Sequence, residues 1–338
     1  MKLSVVDQSP VSAGMTPAEA LANSIDLARR CDRLGYTRYW MAEHHGMELI
    51  ATSAPEVMIA MAAQATSRIR VGSGAVLLPH YSPLKVAEVF RTLHALFPGR
   101  IDLGVGRAPG GEALEAFALR RTRDKAQFEV DDFPSQLMEL NAFLKGGFPS
   151  DHPFGEIRVA PEAPGAPEVW LLGSSLWSAQ AAAQLSLPYA FAHFINPAGT
   201  RLCLSRYAAS FDPSAERPSP QGVAAVGVVC APSDAEAEYV GATYRALGRR
   251  LRLGIRGPVP APDAALKELA QGPLPPDEGD WPRVFIGGPD KVRAGLEAMA
   301  EALDLSELMV VTITHDHAAR VRSYELLAEA FSLGSGSS

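Results

Sequence analysis

Residues 3–19, "LSVVDQSPVSAGMTPAE", separate two possible α/β folds. The segment begins as an apolar strand. A helix begins at the end of the segment. Thr16 is its predicted N-cap, Pro17 its first residue and Glu19 an acidic residue in its first turn. A doubly wound dinucleotide-binding sheet requires a glycine-rich turn between its first strand and helix. The turn "DQSPVSAGM" contains a single glycine and therefore argues against that fold.

The same order of strand and helix repeats along the chain. Eight such units without a break favour an α/β protein of the (β/α)8 TIM-barrel class, with active-site residues after the strands. We expect a single domain over 1–333 and a flexible tail over 334–338. The predicted strands are 3–8, 38–44, 69–78, 100–106, 168–173, 189–194, 222–230 and 308–313; the predicted helices are 16–35, 54–66, 83–97, 125–145, 175–186, 197–210, 234–250, 289–303 and 316–331.

Residues 254–282 contain seven prolines and interrupt this rhythm. A long segment without regular structure is usually a lid or disordered. We expect an insertion that forms a mobile active-site lid.

Composition narrows the class of protein. The formal net charge of −7 argues against a general affinity for nucleic acid or for anionic membranes. The apolar runs are strand-sized, so we expect neither a signal peptide nor a transmembrane helix. Three scattered cysteines fit a reducing cytoplasm better than a disulfide framework.

The second predicted strand ends in polar residues, "RYWMAEHHG" at 38–46. Side chains alternate across a strand, so Glu43 and His45 share one face and His44 lies on the other. Neighbouring histidines on opposite faces cannot easily bind one metal ion. "THDH" at 314–317 has better spacing, but no further ligands complete it, and we expect no metal. Acid–base chemistry and a plain polar strand end both remain open for the first motif.

Three other strands end in residues that could bind a cofactor. Gly72 and Gly74 share a face of the third strand, which would admit either a flat ligand or tight barrel packing. Arg107 follows the fourth strand. Three serines lie where the fifth strand turns into its helix, and hydroxyls, helix N–H groups and an arginine together could bind phosphate. Serines are also ordinary N-caps, so this motif stays ambiguous; its members are Ser174, Ser175 and Ser178.

Nearly the whole chain, with its motifs in the same order, resembles the bacterial luciferase-like, flavin-dependent monooxygenases. The resemblance rests on "LSVVDQSP", "YWMAEHHG", "VGSGAVLLPHYSPLKVAE", "FPGRIDLGVGRAPGG", "HPFGEIRVAPEAP", "VWLLGSSLWSAQAAAQLSLPYAFAHFINP" and "VFIGGPDKV". Within the family, the chain looks closest to the subgroup with actinobacterial aromatic polyketide oxygenases of the mensacarcin type, which act in antibiotic biosynthesis.

The resemblance implies FMN at the barrel mouth. Arg107 and the serines at 174, 175 and 178 match phosphate-binding positions, and Gly74–Ala75 matches a bulge, often with a cis peptide, that supports the flavin ring. His44 matches an acid–base histidine that faces flavin and substrate, with His45 structural or supporting it. Gly106 stands where the luciferases have cysteine, and His193 replaces an aromatic residue, which suggests a different substrate pocket.

The implied reaction activates O2 on FMNH2 as a C4a-(hydro)peroxyflavin, which hydroxylates, epoxidises or Baeyer–Villiger-oxidises an organic substrate. The alternatives are a deazaflavin (F420) hydride-transfer dehydrogenase and a non-catalytic flavin-binding protein. The nearest dinucleotide motif, at 104–109, has Pro109 at its third glycine position. We therefore expect a separate NAD(P)H:flavin reductase to supply FMNH2 by diffusion. The resemblance also implies a homodimer packed through helices 54–66 and 83–97.

Overall fold

Eight parallel strands form a closed barrel in the computed structural model, which describes residues 1–120, 131–272 and 278–334. The last strand pairs with the first, with Val310 opposite Val5, and this closure confirms the predicted (β/α)8 barrel. The barrel strands and two short extra strands, β4 and β9, are β1 (Lys2–Asp7), β2 (Arg38–Met41), β3 (Arg70–Ser73), β4 (Val76–Leu77), β5 (Ile101–Gly106), β6 (Glu168–Gly173), β7 (Tyr189–Ala192), β8 (Gly222–Cys230), β9 (Val284–Gly287) and β10 (Glu307–Val311).

The two extra strands correct the sequence-based prediction. The predicted strand 69–78 is interrupted at Gly74–Ala75, so its second part becomes the separate strand β4. Strand β9 pairs with the C-terminal half of β8, past most of the residues that pair with β10. It has only four residues and follows directly on the proline-rich segment, so no alternating pattern identifies it.

The helices surround the barrel and begin close to the predicted residues. Thr16 caps the first helix through a capping box with Glu19, and Gly35 ends it in the left-handed conformation. The short helix α4 was not predicted, and the predicted helix 125–145 begins at Phe133, its residues 125–130 lying outside the described residues. The helices are α1 (Pro17–Leu34), α2 (Pro55–Ala65), α3 (Pro83–Leu96), α4 (Ala113–Leu119), α5 (Phe133–Lys145), α6 (Leu176–Gln184), α7 (Thr200–Ala209), α8 (Asp234–Leu253), α9 (Pro262–Leu269), α10 (Pro289–Ala302) and α11 (His317–Ala330).

The segment 254–282 has regular structure, and the expectation that it has none is wrong. Helix α9 packs against α8, and Ala265 is fully buried between them. Val259 is also buried and forms a bridge with Ser12. Apolar side chains between the prolines therefore fix this part of the insertion, while 273–277 lies outside the described residues.

Two apolar layers hold the barrel together. The larger lies between strands and helices, and the smaller fills the barrel interior, where Trp40 and Trp170 meet edge to face at 5.2 Å. In the described ranges, no helix is long and apolar enough to cross a membrane.

Candidate active site

A cavity of about 440 Å³ opens at the carboxyl ends of the barrel strands. Its size lies within the range of small-molecule sites. The floor is apolar and belongs to the interior layer of the barrel. Residues of the floor are Val6, Leu172, Ala190, Ala225 and Met309.

His44 lies in the wall of this cavity. Its backbone N–H donates to the carbonyl of Thr52 at 3.0 Å, which fixes the chain after β2. The ring Nδ1 is buried and has no hydrogen-bond partner. Burial, with a smaller contribution from His45, lowers the pKa of His44 to about 4. The imidazole is therefore neutral near pH 7 and can exchange a proton with a ligand.

Glu43 connects the segments on either side of the cavity. Its Oε1 lies 2.8 Å from Nε2 of His45 and accepts a hydrogen bond from Tyr81 at 2.7 Å. Its Oε2 accepts from the N–H of Leu77 at 2.9 Å. Burial, then the Glu43 charge, raises the pKa of Tyr81 well above its usual value. Strand β2 ends at Met41, earlier than predicted, so the alternation expected for residues 43–45 does not apply. Glu43 and His44 line the same cavity, and His45 supports the wall through its contact with Glu43.

Gly74 and Ala75 lie between β3 and β4 and line the cavity, and the peptide bond between them is cis. A Cβ on Gly74 would lie 2.7 Å from Cγ2 of Val6. A Cβ on Gly72 would lie 2.4 Å from the carbonyl oxygen of Asp102. Both glycines are therefore required by close packing of the barrel, which is one of the two readings of their spacing.

Arg107 lies at the edge of the cavity, just after β5. Its guanidinium carbon is 4.4 Å from the centre of the Trp177 ring, and its Nη1 is 2.9 Å from Oδ2 of Asp131. The ring of Phe133 packs edge to face against that of Trp177, with the ring centres 5.7 Å apart. The arginine is thus held in place by an aromatic surface and a carboxylate.

The serine turn also reaches the cavity. Ser175 caps helix α6, where its Oγ accepts from the N–H of Ser178 at 3.4 Å. The Ser178 hydroxyl donates to the Ser175 carbonyl at 2.8 Å and lies 3.0 Å from the Tyr189 hydroxyl. Capping therefore accounts for these two hydroxyls in this structure. Ser174 lines the cavity beside them, so the turn offers helix N–H groups and one further hydroxyl next to Arg107.

The structure does not bring every candidate residue together. His193 is fully buried outside the cavity lining, where Nδ1 lies 2.7 Å from Thr200 Oγ1 and Nε2 lies 2.9 Å from the Pro282 carbonyl. Its neighbours Ala192, Phe194 and Ile195 line the cavity instead, at the turn that follows β7. His193 therefore anchors residue 282, and the geometry does not support a substrate contact.

The two histidines of "THDH" also point to separate partners. His315 Nε2 lies 3.1 Å from the Ala13 carbonyl, and His317 Nε2 lies 3.0 Å from Asp26. No group of three or more candidate metal ligands occurs in the described parts of the chain.

Sequence reasoning missed the aromatic and acidic partners of Arg107. Trp177 stands inside the serine motif "SSLWS", so its proximity to a phosphate-binding turn was a usable signal. Asp131 and Phe133 gave none, because they come from the start of α5, about 25 residues away along the chain.

A closed (β/α)8 barrel with a neutral imidazole and an arginine at the mouth defines an enzyme of the barrel class with its active site after the strands. The sequence model of the luciferase-like monooxygenase family matches residues 1–305. A "luciferase-like monooxygenase" from Escherichia coli (strain K12) is 38% identical over 327 residues, which cover 96% of this chain and 95% of that protein. The chain belongs to the luciferase-like monooxygenase family and is a flavin-dependent monooxygenase.

Two solved structures show the same fold. The crystal structure of apo-MsnO8 is 49% identical with a TM-score of 0.90 and covers 98% of both chains. The oxygenating constituent of 3,6-diketocamphane monooxygenase from Pseudomonas putida, in complex with FMN, has a TM-score of 0.71. It is 21% identical and covers 98% of this chain and 97% of that chain, so this second likeness concerns the fold alone.

Proposed function

We propose that this protein is the oxygenase component of a two-component system. It binds FMNH2 supplied by a separate NAD(P)H:flavin reductase and uses O2 to oxygenate an organic substrate. The observation that carries the proposal is the convergence of Arg107, the N-terminus of α6 and the unpartnered His44 ring nitrogen on one cavity.

The residues present fit a phosphorylated flavin. Arg107 presents a cation beside the first N–H groups of α6, which suits a phosphate dianion. The apolar floor and the Gly74–Ala75 wall suit a flat aromatic ring. When bound in its reduced form, FMN would supply the electrons for the reduction of O2.

The side chains of this chain would control water and protons. The apolar floor excludes water from the inner end of the cavity. Nδ1 of His44, neutral and without a partner, can accept a proton from a ligand atom and return it. Glu43 holds the wall on which His44 stands through its bonds to His45 and Leu77.

For the substrate we propose an apolar organic compound of the aromatic polyketide type, processed in the cytoplasm during secondary metabolism. Support comes from the similarity to MsnO8 and from the small side chains of Ala190, Ala192 and Ala225, which leave room for a ring system. The oxygenation could be a hydroxylation, an epoxidation or a Baeyer–Villiger oxidation.

The course of the chain supports the proposal of a separate electron source. Residues 104–109 form the end of β5 and its loop, and Pro109 lines the cavity instead of beginning a helix. Among the described residues, all strands belong to one sheet, so they contain no second strand unit for a nicotinamide nucleotide.

The purified chain should therefore oxidise NAD(P)H negligibly with FMN and O2, and turnover should begin when a competent flavin reductase is added. Substantial NAD(P)H oxidation by the chain alone would refute the two-component proposal.

A second experiment distinguishes the rival functions. The protein with anaerobically reduced FMN is mixed with O2 while near-ultraviolet absorbance is followed. A transient that appears and decays supports the monooxygenase. Immediate reoxidation, as in free solution, supports a binding protein, and hydride transfer to or from F420 with an alcohol supports the dehydrogenase.

A further inference from the structure

The guanidinium of Arg107 already has an anionic partner, the carboxylate of Asp131. The Nη1–Oδ2 distance of 2.9 Å is that of a charge-assisted hydrogen bond. Both side chains are about half exposed, at 43% and 52%, so an entering ligand can reach them. This pair therefore occupies the cation that the proposed function assigns to the flavin phosphate.

The carboxylate is held in this place by the packing of its helix. Asp131 lies two residues before Phe133, which is buried and begins α5. The Phe133 ring contacts Trp177 at the start of α6. The contact between the starts of the two helices thus brings the acid and the turn of Ser174 to the same arginine.

Trp177 allows Arg107 to change partners without leaving its place. The guanidinium stacks over the indole at 4.4 Å. Stacking uses the flat face of the group and leaves its edge N–H donors available. The same cation can therefore bond to Asp131 or to an entering anion.

We infer that Asp131 competes with the flavin phosphate for Arg107 and thereby weakens the binding of FMN. This inference rests on the proposed function. A phosphate dianion at Arg107 must share the guanidinium with the carboxylate and must lie close to its negative charge. The competition acts only on ligands with a phosphate, and it favours exchange of the flavin with a reductase.

The test measures Kd values of oxidised FMN and riboflavin for the full chain by quenching of flavin or tryptophan fluorescence. Asp131→Asn should bind FMN more tightly by up to about fivefold, the upper end of the range for an exposed ion pair. Riboflavin binding should not change. Inorganic phosphate should displace FMN at lower concentration from the variant, and 1 M salt should reduce the difference between the two proteins.

Asp132→Asn is the matched control, because it removes the same charge one residue further along the chain. The carboxylate of Asp132 accepts a hydrogen bond from Gln136 at 2.9 Å. Asp131→Ala removes the carboxylate without introducing an amide and should give the same result as Asp131→Asn. Circular dichroism checks that each variant is folded. An equal gain in Asp132→Asn, or equal changes for FMN and riboflavin, would overturn the inference.

Different results would contradict the proposed function and the competition at Arg107. If the wild-type protein binds FMN and riboflavin equally, the phosphate site and the proposed function fail. If it prefers FMN and Asp131→Asn leaves that preference unchanged, only the competition is wrong.

Discussion

Replacing His44 by Gln tests whether a buried, neutral imidazole lies in the cavity wall. Histidine has a pKa of 6.5 in the unfolded chain, and burial lowers the pKa of His44 to about 4 in the fold. Between these values the unfolded state binds the proton more strongly. The contribution of this group to stability is therefore complete above pH 6.5 and is lost as the pH falls toward 4.

The magnitude follows from the two pKa values. At pH 5 the unfolded histidine is almost fully protonated and the folded one mostly neutral, so the wild type should lose about 2 kcal/mol relative to pH 7.5. The variant lacks this loss. Its free energy of unfolding should therefore fall by about 2 kcal/mol less than that of the wild type over the same pH interval.

Urea denaturation at pH 7.5 and pH 5 measures this difference, and the slopes with urea should agree between the proteins. His44→Leu is a second variant without a titrating group and should follow His44→Gln. If the wild type and both variants lose the same free energy, His44 titrates normally and the interpretation is wrong. In the reductase-coupled reaction, His44→Gln should also lower product yield on the order of a hundredfold.

Two further predictions concern the cofactor and the assembly. Arg107→Ala should weaken reduced-FMN binding by about 2 kcal/mol and leave riboflavin affinity nearly unchanged, as measured by anaerobic titration; equal losses would remove Arg107 from the phosphate site. We also propose a homodimer packed through α2 and α3, because Val57 and Met61 are 58% and 55% exposed one turn apart. Light scattering should show a dimer that Met61→Glu dissociates, and a wild-type monomer at micromolar concentration would refute it.

Signals between residues close in sequence were sufficient to predict the barrel. The capping box at Thr16 and Glu19 lies within four residues, and the apolar runs of the eight strands are uninterrupted by charge except near their ends. These features depend on neighbours in sequence, so the sequence alone could predict them.

The errors come from features that depend on distant neighbours. His193 was placed in the pocket by its position in a motif, but its orientation is set by Thr200 and the carbonyl of residue 282. The proline count of 254–282 suggested an absence of structure, whereas burial of Ala265 against α8 stabilises a helix there. The Asp131 contact needs two helix starts to meet, which no local pattern reports.

Buried charges are paired at both ends of the barrel, whereas a buried ring nitrogen at the carboxyl ends is not, and this nitrogen supports the location of the site. At the amino ends of the strands, Arg38 bonds to Asp102 at 2.8 Å and to Glu307 at 3.1 Å, so these buried charges satisfy one another. At the carboxyl ends, Nδ1 of His44 is buried without a partner. Such a group costs about 1–3 kcal/mol in the free protein, and a ligand atom that bonds to it recovers this energy on binding. The unpaired nitrogen therefore favours ligands with a polar atom at this point of an otherwise apolar cavity.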